Sequence, residues 1–89
     1  MENLKVYVPV LAAFAADGKI MPRRIRWEDG EVYTVDKVLD VRPAPALKAG
    51  GQGDRYTIQI NGKQSYLFFE SNTDARSLIK GRWFVEKRV

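Results

Sequence analysis

The stretch Arg55-Tyr56-Thr57-Ile58-Gln59-Ile60-Asn61-Gly62-Lys63-Gln64-Ser65-Tyr66-Leu67-Phe68-Phe69-Glu70 decides the fold. Tyr56, Ile58 and Ile60 alternate with Arg55, Thr57 and Gln59, the period of a strand buried on one face. Asn61-Gly62 then supplies the residue pair that best tolerates the left-handed backbone of a tight hairpin. The return run, Lys63 to Glu70, is apolar at Tyr66-Leu67-Phe68-Phe69, so it presents large side chains to both faces of its sheet. Two registers are open. A two-residue turn sets Ile58 opposite Ser65 and Tyr56 opposite Leu67, and sends Tyr66 and Phe68 to the other face with Thr57 and Arg55. A three-residue loop reverses this and sends Leu67 and Phe69 there. In both cases two large side chains leave the first face. They are covered by the segment 71–81 or the N-terminal run, which is the preferred reading, or they form a binding or dimer surface.

Working outward, Asp17-Gly18, Asp29-Gly30 and Gly50-Gly51 mark three further reversals, and the runs between them are rich in Val, Ile, Tyr, Phe and Trp. Ile25 and Trp27 alternate with Arg24 and Arg26, and Val32-Tyr33-Thr34-Val35 follows Glu28-Asp29-Gly30. A two-residue turn would oppose Glu28 and Glu31. A three-residue loop with Gly30 in the left-handed position pairs Ile25 with Tyr33 and Arg24 with Thr34, and gathers Ile25, Trp27, Tyr33 and Val35 on one face; this register is preferred. The same run continues to Val41, with a change of parity near Asp36-Lys37 that calls for a bulge or bend. Pro43 and Pro45 are expected to end it. Lys5 to Phe14 reads as one strand interrupted by Pro9, with Ala12 to Ala16 as a candidate helical turn. Ala44 to Asp54 reads as a loop. A short helical turn near 73–80, closed by Gly81, precedes a final strand from Arg82 to Val89.

These elements predict an all-β fold: one small domain over residues 1–89, a five- to six-stranded antiparallel barrel or curved sheet of SH3-like type. With 89 residues, 45% hydrophobic and 29% charged, the composition is that of an ordinary globular protein with a modest core. There is no cysteine and no histidine. That excludes disulfides, thiolate metal sites, cysteine nucleophiles and the commonest general base at neutral pH. Ser65, Ser71 and Ser77 therefore have no imidazole to activate them. Asp36 and Asp40 would lie about 13 Å apart on a strand, too far for a hydrolytic pair. Asp17, Asp29 and Asp54 adjoin glycines, where aspartate commonly bonds its own backbone. No catalytic residue, no metal site and no cofactor is expected. The N-terminus has no signal-peptide pattern and Val6 to Ala16 is too short to span a bilayer, so the expectation is a cytoplasmic protein without membrane contact.

The net charge of +4 permits contact with nucleic acid or an acidic partner without demanding it. Arg24, Arg26 and Arg55, with Tyr66 and Phe68, compose a candidate basic and aromatic binding face. The plainer reading is a solvated face partly matched by Glu28, Glu31 and Glu86. Lys48, Gly50, Gly51 and Gly53 compose a candidate anion loop. It lacks the Walker spacing and precedes a strand, so a connecting loop is the plainer reading.

At Val8-Pro9-Val10, Asp17-Gly18-Lys19-Ile20, Pro22, Ile25, Trp27-Glu28-Asp29-Gly30, Tyr33-x-Val35-Asp36-x-Val38-Leu39-Asp40, Gly50-Gly51-x-Gly53-Asp54-Arg55-Tyr56 and Trp83-Phe84-Val85-Glu86, the chain resembles a family of short bacterial proteins, Gram-positive in type, of unknown function. The resemblance implies a small β domain in a bacterial cytoplasm and supplies neither an activity nor site residues. Two functions remain. The first is a non-enzymatic binding or protein-interaction module, docking another protein or a second copy through the 66–69 strand. The alternative, less favoured, is a nucleic-acid-binding β-barrel using the basic face.

Overall fold

The computed structural model describes residues 3–45, 52–71, 76 and 81–88. Among these the chain is all-β. The strands are β1 (Asn3–Tyr7), β2 (Val10–Phe14), β3 (Ile20–Arg26), β4 (Val32–Thr34), β5 (Lys37–Pro45), β6 (Gln52–Ile60), β7 (Lys63–Ser71) and β8 (Gly81–Arg88). They pair as two antiparallel sheets, one ordered β1-β8-β7-β6-β5 and the other β2-β3-β4. Ile25 and Val35 meet Tyr56, Ile58, Leu67, Phe69, Trp83 and Val85 in a core shared by the two sheets. No helix of the described residues is long and apolar enough to cross a membrane.

Both hairpins follow local chemistry. Asn61 and Gly62 have φ of 51° and 78°, the two left-handed positions of a two-residue turn. That turn pairs Ile60 with Lys63, Ile58 with Ser65 and Tyr56 with Leu67. Leu67 and Phe69 therefore enter the shared core, and Tyr66 and Phe68 take the opposite face. Between β3 and β4 the preferred three-residue loop is present: Ile25 pairs with Tyr33 and Arg24 with Thr34, with Gly30 at φ 87°. The Asp29 carboxylate accepts the Glu31 amide at 2.8 Å, the local turn bond expected of aspartate.

The strand count exceeds the expected five or six because two runs divide. Lys5 to Phe14 breaks at Val8-Pro9. The Val8 amide donates to Trp83 in the larger sheet, and the Pro9 carbonyl accepts from Arg26 in the smaller one. Val32 to Val41 breaks at Val35-Asp36. The Val35 amide donates to Arg23 and the Asp36 amide to Gln59, so adjacent residues bond to different sheets. That crossing is the bend anticipated from the parity change, and a further irregularity follows between Val38 and Asp40. Among the described residues the strands do not close into a barrel. β1 and β5 are the free edges of the larger sheet.

Four other expectations are corrected. Pro43 lies inside β5, which tolerates it because an edge strand needs no amide on its outer side, and the strand ends at Pro45. Ala44 and Pro45 on one side, and Gln52 to Asp54 on the other, belong to paired strands rather than to a loop. Ala12 to Phe14 belong to β2 rather than to a helical turn. Gly81 opens β8, one residue ahead of the expected start of the final strand at Arg82. The expected helical turn near 73–80 lies outside the described residues, apart from Arg76, which is in a turn.

Gly53 is needed where it stands. A Cβ there would lie 2.4 Å from the Phe69 carbonyl oxygen and 3.0 Å from its carbon, atoms of the neighbouring backbone that cannot swing away. Gly53→Ala is expected to cost about 1–3 kcal/mol by urea unfolding, the usual cost of overpacking. Wild-type stability in that variant would contradict the β6–β7 pairing.

Candidate binding surfaces and the inter-sheet cleft

The structure divides the predicted basic face. Arg24 and Arg26 flank buried Ile25 on β3, so they project from the solvent side of the smaller sheet, cross-strand from Leu11 and Val32. Arg55, Tyr66 and Phe68 lie together on the outer side of the larger sheet, across the shared core. The Arg55 guanidinium sits 4.7 Å above the ring of Tyr66, which is 52% exposed. Phe68 is only 4% exposed and is unavailable to a ligand as a stacking platform. Of the candidate anion loop, Lys48, Gly50 and Gly51 lie outside the described residues. Gly53 lies in β6 opposite Ala44.

Cover for Phe68 begins with β8 and the N-terminal strand. Phe68 stacks on Phe84 at 5.0 Å and 7°. Tyr7 meets Phe84 edge-on at 6.0 Å, and the Lys5 ammonium lies 4.6 Å above the same ring. Lys5 also pairs with the Glu70 carboxylate, which accepts the Tyr7 hydroxyl at 3.0 Å. Arg82 covers the Tyr7 ring at 4.9 Å. A second, smaller apolar cluster, Phe68 with Phe84, is thus roofed by Lys5, Tyr7, Glu70 and Arg82. The alternation of Tyr7 with Val6 and Val8 signals its face in the sequence. Its partner at a separation of 63 residues carries no such signal.

The Lys5–Glu70 hydrogen bond is the chief cause of a raised Lys5 pKa and a lowered Glu70 pKa. The side chains are 20% and 25% exposed, so solvent screens the pair only in part. A lowered carboxyl pKa stabilises the fold above the unfolded-state value and is lost as pH falls through the folded-state value. A raised lysine pKa stabilises below the unfolded-state value and is lost as pH rises through the folded-state one.

The two sheets leave a gap between β3 and β5. Gly18 to Met21 form one wall and Val38 to Val41 the other, with Tyr56 and Phe69 between them, enclosing about 610 Å³. The Tyr56 hydroxyl donates to the Ile20 carbonyl at 2.8 Å and so ties the larger sheet to the smaller beside this opening. Burial, and secondarily the Asp54 charge, push the Tyr56 pKa up. Asp40 shares its register with outward-facing Thr57 and its carboxylate is held by Arg42 at 2.7 Å. Asp40 and Asp54 both line the cleft, Asp54 without the arginine that engages Asp40, while Leu39 and Val41 remain 41% and 46% exposed along its edge. Among the described residues no group of three or more His, Cys, Asp or Glu is placed to hold a metal ion.

Two stability measurements check these contacts. A double-mutant cycle on Lys5→Met and Glu70→Gln should return a coupling of about 1 kcal/mol at neutral pH that vanishes as Glu70 protonates in acid. A coupling unchanged in acid would contradict the ion pair. Tyr56→Phe should cost about 1 kcal/mol. It should also remove the part of alkaline destabilisation that arises when the wild-type phenol ionises; this appears above the unfolded tyrosine pKa of about 10. No family model matches the sequence, and no curated protein or solved structure matches it either.

Proposed function

We propose that the protein is a non-enzymatic binding module that takes an extended segment of a partner protein into the cleft between β3 and β5. The observation that carries this reading is the edge of β5, which among the described residues pairs only with β6, beside the cleft lined by Ile20, Met21, Leu39 and Val41. A strand edge offers a row of free amides and carbonyls to an added strand, and side chains of alternate register then enter pockets beside it. The irregularity at Leu39 re-aims the β5 side chains next to the gap. We read the two sheets as an opened SH3-like barrel whose unclosed seam is this cleft; the crossings at Val8-Pro9 and Val35-Asp36 support that reading. The lack of histidine and cysteine in the sequence supports binding rather than catalysis.

Nucleic-acid binding is the second reading, favoured by one contact, the Arg55 guanidinium on exposed Tyr66. The separation of Arg24 and Arg26 from that contact, and the burial of Phe68, weigh against it.

One titration separates the two. The 15N-labelled protein is mixed with short synthetic peptides of alternating valine and lysine, the cations chosen for Asp54, and separately with single-stranded oligothymidylate. The peptides are expected to shift the amides of Ile20, Met21, Leu39 and Val41, and Val41→Glu to weaken that response about tenfold or more, equivalent to about 1.4 kcal/mol. Absence of peptide shifts, with salt-sensitive oligonucleotide shifts at Arg55 and Tyr66, would replace the first reading by the second.

A further inference from the structure

A second cleft lies within the larger sheet itself. β7 and β8 are paired from Ser71–Gly81 to Phe68–Phe84. Beyond that step each strand continues with its other neighbour: β7 stays with β6 down to Lys63, and β8 stays with β1 up to Arg88. Adjacent strands therefore part, and a notch of about 490 Å³ opens between them. Trp27 from the smaller sheet's hairpin, Tyr66 and Phe68 from β7, and Val85 and Glu86 from β8 line it.

Its chemistry is specific. Two aromatic side chains, Trp27 and Tyr66, and the Glu86 carboxyl line one space, with Gln64 and Ser65 beside them and Phe68 buried beneath. Glu86 Oε2 is sealed from water and has no hydrogen-bond partner. Lys5, its cross-strand neighbour, is committed to Glu70 instead. Among the described residues Glu86 forms no ion pair. An unsatisfied buried carboxylate oxygen calls for a compensating charge. An oxygen closed to solvent is also a poor acceptor for an incoming N–H, so Glu86 Oε2 acts on a ligand through its field rather than through a hydrogen bond. An alkylated ammonium has little or no N–H to satisfy. It responds to the carboxylate through its field and packs its methyl groups on aromatic faces.

We propose that the notch between β7 and β8 binds an alkylated ammonium group, with Trp27 and Tyr66 as its aromatic walls and Glu86 as its counter-charge. The group belongs either to a methylated lysine of a protein or to a free quaternary amine. This site is separate from the β3–β5 cleft and stands or falls independently of it.

Choline and its neutral isostere 3,3-dimethylbutan-1-ol are titrated into the 15N-labelled protein, with a trimethyllysine peptide and its unmodified counterpart in parallel. Choline is expected to shift the Trp27 indole and the amides of Tyr66 and Glu86, and the neutral isostere to bind about tenfold more weakly or worse. Glu86→Gln and Tyr66→Leu should each weaken choline by about tenfold while the dispersed spectrum of the fold persists. Tighter binding of the trimethyllysine peptide than of choline and of the unmodified peptide assigns the group to a protein; the reverse order assigns it to a free amine. Equal binding of choline and the isostere, shifts outside the notch, or no shift with any of the four probes would overturn the proposal.

Discussion

The structure depends on the register that Asn61-Gly62 imposes on β6 and β7. Both residues hold positive φ, so the turn is two residues long, and every later pairing in that hairpin follows from it. A slip by one residue would exchange the faces of Tyr66-Leu67-Phe68-Phe69 as a block. Leu67 and Phe69 would leave the shared core, and Tyr66, with its hydroxyl, would enter it. The observed register instead sends the more polar ring outward under Arg55 and leaves Phe68 to be matched by Phe84. An apolar pair on the outer side of a sheet requires cover, and Lys5, Tyr7, Glu70 and Arg82 supply it by laying long stems and an aromatic ring over Phe84 and pairing their polar ends.

The same larger sheet explains both clefts. Its strands cross into the smaller sheet at Val8-Pro9 and Val35-Asp36, where one residue bonds to one sheet and the next to the other. Those crossings let the sheets share a core without closing on the β5 side. The Tyr56 hydroxyl ties across to Ile20 beside the open seam, using a polar group where a further strand ladder is missing. The second opening arises because β8 follows β1 and β7 follows β6 beyond the Phe68–Phe84 step. Trp27, packed on the shared core, lines the space between them.

What was legible in the sequence was local. Glycine and asparagine at the turns, with alternation on either side, predict both hairpins and, for residues 25–33, the register as well. The all-β antiparallel character follows from the same signals. What was illegible was sheet membership. Val32 to Val41 carries no residue that marks a passage from one sheet to another except the parity change at Asp36-Lys37, and that change is equally consistent with a bulge. Pro43 looks like a terminator because proline breaks ladders, yet an edge strand exempts it and the strand runs on to Pro45. The candidate face failed as a unit for the same reason. Arg24 and Arg26 face solvent and Arg55 lies against Tyr66 on the outer side of its own sheet, all as alternation requires, but alternation is silent on whether two strands share a sheet. Lys5 with Glu70 and Trp27 with Glu86 are brought together by pairings and packing across most of the chain, which short-range patterns cannot encode.

The β6–β7 register carries the core, the roofed phenylalanines and the position of Tyr66 beside Glu86, so it is the claim to test first. In a two-residue hairpin the residues next to the turn form a hydrogen-bonded pair, and closely spaced pairs alternate with it along the ladder. Thr57 with Tyr66 and Arg55 with Phe68 are then the pairs whose α-protons approach each other. Nuclear Overhauser contacts between the α-protons of those two pairs are the result the structure predicts. Contacts displaced by one residue, Thr57 to Leu67 or Arg55 to Phe69, would contradict it and reverse the faces on which both the core and the notch are built.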